Sequence, residues 1–193
     1  MKHQSNVDEI IPLGLDFIGN IFFEDSPRNI NSYVSTTTKK VGVFVKESIS
    51  IIRKKIKKHS LDVVQLHGGE SNEFCKTIKD MGVEVWKVIS IESYHDISIL
   101  KDFPDADLFL FDTKTVKHGG AGKKFDWKLL GKIDKETTKQ YFLAGGIGPN
   151  DAEEIKELKL QNLIGLDLNS KFEISPGIKN PESLKVFLKQ LRS

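Results

Sequence analysis

The sequence predicts an α/β fold, a (β/α)8 barrel of the TIM type here without its first β-strand. Three observations predict it. Short β-branched and aromatic runs alternate with helical patterns along the whole chain. Those runs are nearly continuous in apolar residues, as expected of a parallel sheet covered by helices. Glycines and polar residues then gather where the runs end, and strand ends are where a barrel keeps its active-site loops.

The elements follow in order. A helical pattern at residues 6–13 precedes the first strand, at 16–23. Residues 31–39 read as a weaker helix, because their Ser/Thr run is a poor helix former. Strands at 40–45 and 63–67 flank a helix at 48–59 that opens on Ser48, a good N-cap. The helix at 71–81 starts at Ser71-Asn72-Glu73, and a strand follows at 83–90. A helix at 93–100, a strand at 108–112, a helix at 125–131 and a strand at 141–145 come next. Pro149-Asn150-Asp151 opens a helix at 149–158. The last strand, 163–168, leads to a helix at 181–191.

The tally is seven strands to eight helices, and the extra helix lies before the first strand. A barrel needs a strand ahead of its first helix. The count alone leaves a doubly wound open sheet as the alternative, which could begin with a helix. The strand-end motifs favour a barrel whose opening strand would fall before Met1, with a gap or strained closure between strands 16–23 and 163–168.

Composition bounds the setting. The 193 residues suit one domain, 1–193, with no linker or composition break. A formal net charge of +2 gives no global field for nucleic acid or membrane. Nor is there a span apolar enough for a bilayer, or a signal-peptide pattern. A single cysteine, Cys75, excludes an intramolecular disulfide and fits a reducing, cytoplasmic compartment. The basic run 53–59 reads as the wet face of an outer helix, with Ile51, Ile52 and Ile56 on its buried side. Neither nucleic acid nor membrane is expected as a partner, and the chain is expected to be a monomer or homodimer.

Chemistry concentrates at four strand ends. In "LFLFDTKT" an apolar run stops at Asp112, a costly place for a carboxylate without a partner or a task. In "FLAGGIGPND", Gly145 and Gly146 let backbone N–H groups approach a phosphate closely. In "GLDLNSKFE", Asn169 and Ser170 supply further donors. Gln65 and His67 end the strand in "VVQLHGGE", and no second ligand at metal-binding spacing accompanies His67. His95 and His118 have no better claim. Cys75, within a helical pattern of the outer layer, reads as a structural or bystander cysteine. Residues 119–124 superficially resemble a P-loop, but Lys124 stands where Ser/Thr is needed. They read instead as a mobile loop over the substrate.

Taken together, "DFIGNIFFEDSPRNI", "VGVFV", "VVQLHGGE", "FLFDTKTVKHGGAGKKFDW", "FLAGGIGPND" and "GLDLNSKFEISPGIKN" resemble the phosphoribosylanthranilate isomerases of tryptophan biosynthesis. The resemblance spans essentially all of the chain. It implies an Amadori rearrangement of N-(5-phosphoribosyl)anthranilate to 1-(2-carboxyphenylamino)-1-deoxyribulose 5-phosphate. A general acid opens the furanose ring and a general base removes the C2 proton, with no metal or cofactor. On this resemblance Asp112 is the acid and Arg28 holds the anthranilate carboxylate. The substrate-binding candidates are Arg28, Gln65, His67, Gly145, Gly146, Asp167, Asn169 and Ser170.

Two departures from the family stand out. Asn169-Ser170-Lys171 replaces the usual Ser-Ser-Gly of the last phosphate loop. The family's first strand ends Lys-x-Cys-Gly and carries the base, and Met1 aligns just after it. The expectation is an impaired isomerase. The alternatives are a non-catalytic phosphate-ligand-binding barrel, or a related aminoaldose isomerase of phosphoribosyl metabolism.

Overall fold

The computed structural model describes residues 1–30, 32–113 and 124–193. Seven strands make one parallel sheet in chain order: β1 (Phe17–Ile21), β2 (Lys39–Phe44), β3 (Val63–Leu66), β4 (Glu84–Ile91), β5 (Leu108–Thr113), β6 (Tyr141–Leu143) and β7 (Leu163–Leu166). β1 and β7 are the edges, and no pairing joins them among the described residues. Met1 runs beside the β1 edge, its ammonium donating to the Gly19 carbonyl at 2.6 Å. The expected gap therefore lies between β1 and β7.

Helices α1 (Gln4–Ile10), α2 (Ile49–His59), α3 (Asn72–Lys79), α4 (Leu130–Glu136), α5 (Ala152–Glu157) and α6 (Pro181–Arg192) cover the outside. A 3-10 helix, Tyr94–Asp102, fills the crossover from β4 to β5. Local chemistry sets the starts. The hydroxyls of Ser48 and Ser71 accept from the Ile51 and Phe74 N–H groups, and the Asn180 side chain accepts from Ser183 N. Each satisfies a donor that the first helical turn leaves orphaned.

Period-two alternation sorts the strand residues between two faces. Ile18, Phe44, Val64, Leu66, Phe109, Phe111 and Leu143 point outward into the main core beneath the helices. Val41, Val63, Trp86 and Leu108 point inward, packed with Phe17 and Phe142. There Trp86 stacks on Phe142 with ring centroids 4.8 Å apart, and Phe17 meets Trp86 edge-on at 4.8 Å. This aromatic cluster plugs the inside of the curl, so the space that remains lies toward the strands' C-terminal ends.

Three elements differ from the sequence expectation. Residues 32–38 form no helix. The Thr36 hydroxyl takes the Thr38 N–H, and Gln4 takes the Ser35 N–H, so side chains compete for the bonds a helix needs. Among the described residues, the helices expected from the sequence then number seven beside the seven strands of the parallel sheet. Ile51 is 39% exposed, because Ile52 and Ile56, four residues apart, define the buried stripe of α2 instead. Finally, an antiparallel hairpin, β8 (Glu173–Ser175) with β9 (Ile178–Lys179), follows β7, turning at Gly177 with φ +86°. No helix of the described residues is long and apolar enough to cross a membrane.

Candidate active site

A cavity of about 240 Å³ opens inside the curl, and its walls come from alternate residues of successive strands. Gly19 and Ile21 of β1, Val41 and Val43 of β2, Gln65 of β3, Leu110 and Asp112 of β5, and Phe142 of β6 face it. Every sequence-derived candidate is among its lining residues: Arg28, Gln65, His67, Asp112, Gly145, Gly146, Asp167, Asn169 and Ser170. These nine candidates, from five stretches of the chain, thus meet in one space.

Asp112 stands near the end of β5, in register with Ser90 of β4. Burial pushes its carboxyl above the ordinary Asp range, and the Thr113 N–H donating to Oδ1 at 2.7 Å only partly opposes this. His67 Nε2 lies 3.5 Å from Asp112 Oδ2. Thr113 Oγ1 accepts from Phe125 N at 3.1 Å, tying the strand end to the segment that leads into α4. Residues 114–123 lie outside the described residues. So do Lys114, His118 and all but Lys124 of the segment expected to cover the substrate.

Gly145 and Gly146 have φ of +81° and +71°, which side chains other than glycine's resist. A Cβ at Gly145 would also sit 2.6 Å from Asp112 Oδ1 and 2.7 Å from Thr113 N. Glycine at 145 therefore lets the loop lie against the Asp112 carboxyl. The Gly148 N–H is taken by Asp151 Oδ2 at 2.6 Å, and α5 begins at Ala152 rather than near Pro149. Gly145 and Gly146, flanked by Ala144 and Ile147, line the cavity, whereas Gly148 does not.

Opposite lies a charged group of which only Arg28 and Asp167 had been picked out. The Arg28 guanidinium meets Glu173 along one edge, with Nε and Nη2 at 2.6–3.0 Å from the carboxylate oxygens. The buried Lys179 ammonium donates to Glu173 Oε1 at 3.2 Å, Asn169 Oδ1 at 2.9 Å and the Leu168 carbonyl at 2.8 Å. Burial works to raise the Glu173 carboxyl, but Arg28 and Lys179 hold it below the usual Glu range. Asp167 behaves oppositely. Burial pushes it up, and Lys179 opposes without prevailing. Glu173 is hidden in the sequence because its partner Arg28 lies 145 residues away, and Lys179 because its bonds to Glu173, Asn169 and the Leu168 carbonyl form only where the β8–β9 hairpin turns back. The available signal was two charges within the apolar stretch "FEISPGIK".

A second pair sits just behind His67. Glu70 and Lys87, both almost fully buried, are 2.9 Å apart. Glu70 also accepts from Lys46 N and Gly68 N at 2.9 Å each, and Lys87 donates to the Gly68 carbonyl. Lys87 is outward-facing on β4, so this network fixes the loops after β2 and β3 from outside the cavity.

Cys75 lies in α3 on its buried face, against the sheet rather than toward solvent. It does not line the cavity, and burial pushes its thiol up to about 11.

Known proteins share this arrangement over nearly the whole chain. The family profile described as N-(5'phosphoribosyl)anthranilate (PRA) isomerase matches residues 1–190. An N-(5'-phosphoribosyl)anthranilate isomerase of Parabacteroides distasonis is 37% identical over 201 residues, covering 99% of this chain and 90% of its own. The Campylobacter jejuni enzyme of that name is 38% identical over 200 residues, covering 100% and 96%. A solved phosphoribosyl anthranilate isomerase from Thermotoga maritima superposes with a TM-score of 0.87 at 28% identity, over 100% of this chain and 95% of that one. The cavity at the strand ends, the paired glycines beside Asp112 and these likenesses converge: the chain belongs to the N-(5'-phosphoribosyl)anthranilate isomerase family.

Proposed function

We propose that the protein catalyses the isomerisation of N-(5-phosphoribosyl)anthranilate to 1-(2-carboxyphenylamino)-1-deoxyribulose 5-phosphate in tryptophan biosynthesis. The reaction is an aldose–ketose isomerisation, and acid–base chemistry at two adjacent centres suffices for it without a cofactor. The observation that carries this reading is Asp112, a carboxyl raised by burial, set between His67 and the Gly145-Gly146 turn.

The roles follow from position. The protonated Asp112 carboxyl gives its proton to the furanose ring oxygen, which opens the ring to a Schiff base. Its raised pKa serves that task, because an acid must hold its proton near working pH. The phosphate sits against the backbone of Gly145-Gly146 and against Asn169-Ser170. The carboxylate of the anthranilate ring pairs with Arg28, whose planar fork matches it. Gln65, His67 and Asp167 line the space between these ends.

The base that takes the C2 proton is not Cys75, which is walled off from the cavity and has a thiol too basic to serve. A polypeptide of residues 1–193 alone, with no base beside the gap between β1 and β7, is expected to turn over slowly. A strand ending Cys-Gly and joined directly ahead of Met1 would lie in the gap between β1 and β7 and present a thiolate to the cavity. Loss of anthranilate fluorescence from freshly generated phosphoribosylanthranilate, with and without that strand, tests the reading.

A further inference from the structure

Arg28 has two edges able to grip a carboxylate: Nε with Nη2, and Nη1 with Nη2. Glu173 occupies the first, through contacts of 3.0 and 2.9 Å to Nε and 2.6 Å to Nη2. The pair is largely enclosed, with the side chains of Arg28 and Glu173 only 14% and 4% exposed. Glu173 belongs to the β8–β9 hairpin, in register with Lys179, so hairpin pairing fixes its own position. Lys179 is anchored in turn by Asn6, whose side chain bonds both its N–H and its carbonyl. A long arginine on the loop after β1 is thereby clamped to a hairpin 145 residues further along the chain.

We propose that Glu173 is a positioning residue for Arg28: it holds the Nε/Nη2 edge and leaves the Nη1/Nη2 edge as the receptor for an aromatic carboxylate. Lys179 makes the arrangement tolerable in charge. Two cations face one glutamate, so a second carboxylate completes the balance rather than overloading it. Lys179 also bonds Asn169, which links the carboxylate end of the cavity to the phosphate end. The inference rests on the reading of Arg28 as the residue that binds the anthranilate carboxylate.

Two opposing effects fix the expected sign. Removing the Glu173 charge takes a like charge away from the incoming carboxylate, which favours binding. It also frees a flexible guanidinium, which then loses the fork geometry that a bidentate contact needs. Enclosure of the pair and the neutralising Lys179 make geometry the larger effect.

The test compares two ligands: the reduced product, which carries the aromatic carboxylate, and its phenylamino counterpart, which lacks it. The quantity read is the ratio of their dissociation constants in titrations of the folded protein. Arg28→Ala should collapse the wild-type preference for the carboxylate ligand by ~10-fold or more. Glu173→Gln should lower that preference by about 5-fold while leaving the phenylamino ligand within about 2-fold, and should add nothing in the Arg28→Ala background. Glu173→Asp keeps the charge and shortens the reach, so it should lower the preference in the same way. It also carries the test should Glu173→Gln fail to fold.

The outcomes separate cleanly. An unchanged preference in Arg28→Ala overturns the reading of Arg28 itself, and the positioning role with it. A collapse in Arg28→Ala with no change in either Glu173 variant overturns the positioning role alone. Equal weakening of both ligands makes Glu173 merely structural, and a gain in preference makes it a competitor of the substrate. Each of those results overturns the proposal.

Discussion

His67 Nε2 lies 3.5 Å from Asp112 Oδ2 across the ends of β3 and β5, with both side chains mostly shielded from solvent. On the proposed function, this pair marks the reacting side of the cavity. Asp112 is the member that burial drives toward its protonated form. Replacing it with Asn keeps the shape and removes the transferable proton. Asp112→Asn should reduce kcat by ~10²–10⁴-fold, the usual yield of one positioned acid or base. Affinity for the reduced product should stay within a few-fold in titration, because the carboxylate and phosphate contacts remain.

The same carboxyl sets a pH dependence whose sign is fixed. An acid catalyst must be protonated, so kcat should fall as pH rises through the raised Asp112 pKa. The stability linkage has the same direction: a raised carboxyl contributes stability that is present below the ordinary Asp pKa and lost as pH rises through the shifted value. A kcat–pH profile should lose this limb in Asp112→Asn. Its persistence in the variant would assign the limb to another group.

Gly146→Val should weaken binding of the phosphorylated product analogue by at least ~10-fold. A β-branched side chain is strained at φ +71°, and it would stand between phosphate and backbone. Unchanged affinity in a titration would place the phosphate elsewhere.

Much of this site was legible in the sequence, for a local reason. A parallel strand buried on both faces shows as an apolar run, and the residue that ends the run sits at the cavity mouth. Asp112, His67 and Gly145 were all legible that way. What was hidden depends on contacts remote in sequence. Glu173 meets Arg28 across 145 positions, and Glu70 meets Lys87 across 17. No spacing rule reaches those pairs. The helix expected over 31–39 is absent from residues 32–38, because side chains there satisfy backbone donors. The β8–β9 hairpin was missed because two- and three-residue strands carry too few residues to show a period.

Lys87→Met should destabilise the fold by about 3–5 kcal/mol, because it strands the Glu70 charge in a buried place. In the wild type, burial tends to raise Glu70, but Lys87 and two backbone N–H groups outweigh it and hold the carboxyl low. A depressed carboxyl contributes stability above the ordinary Glu pKa and loses it as pH falls through the depressed value. Urea melts should therefore show less acid sensitivity in the double variant Glu70→Gln/Lys87→Met than in the wild type. Equal acid sensitivity would remove the pair from the account.

Cys75→Ser should lower stability by about 1–2 kcal/mol, since a hydroxyl replaces a thiol in an apolar place. Turnover should stay unchanged in the strand-extended protein, where the base stands elsewhere. A selective loss of kcat would return Cys75 to the chemistry.

The most direct measurement is the fluorescence assay on two polypeptides, residues 1–193 alone and the same chain with a β-strand ending Cys-Gly joined ahead of Met1. The account predicts slow conversion by the first, a gain of ~10²-fold or more in the second, and loss of that gain on Asp112→Asn. Full turnover by residues 1–193, or turnover in the extended protein that survives Asp112→Asn, would contradict it.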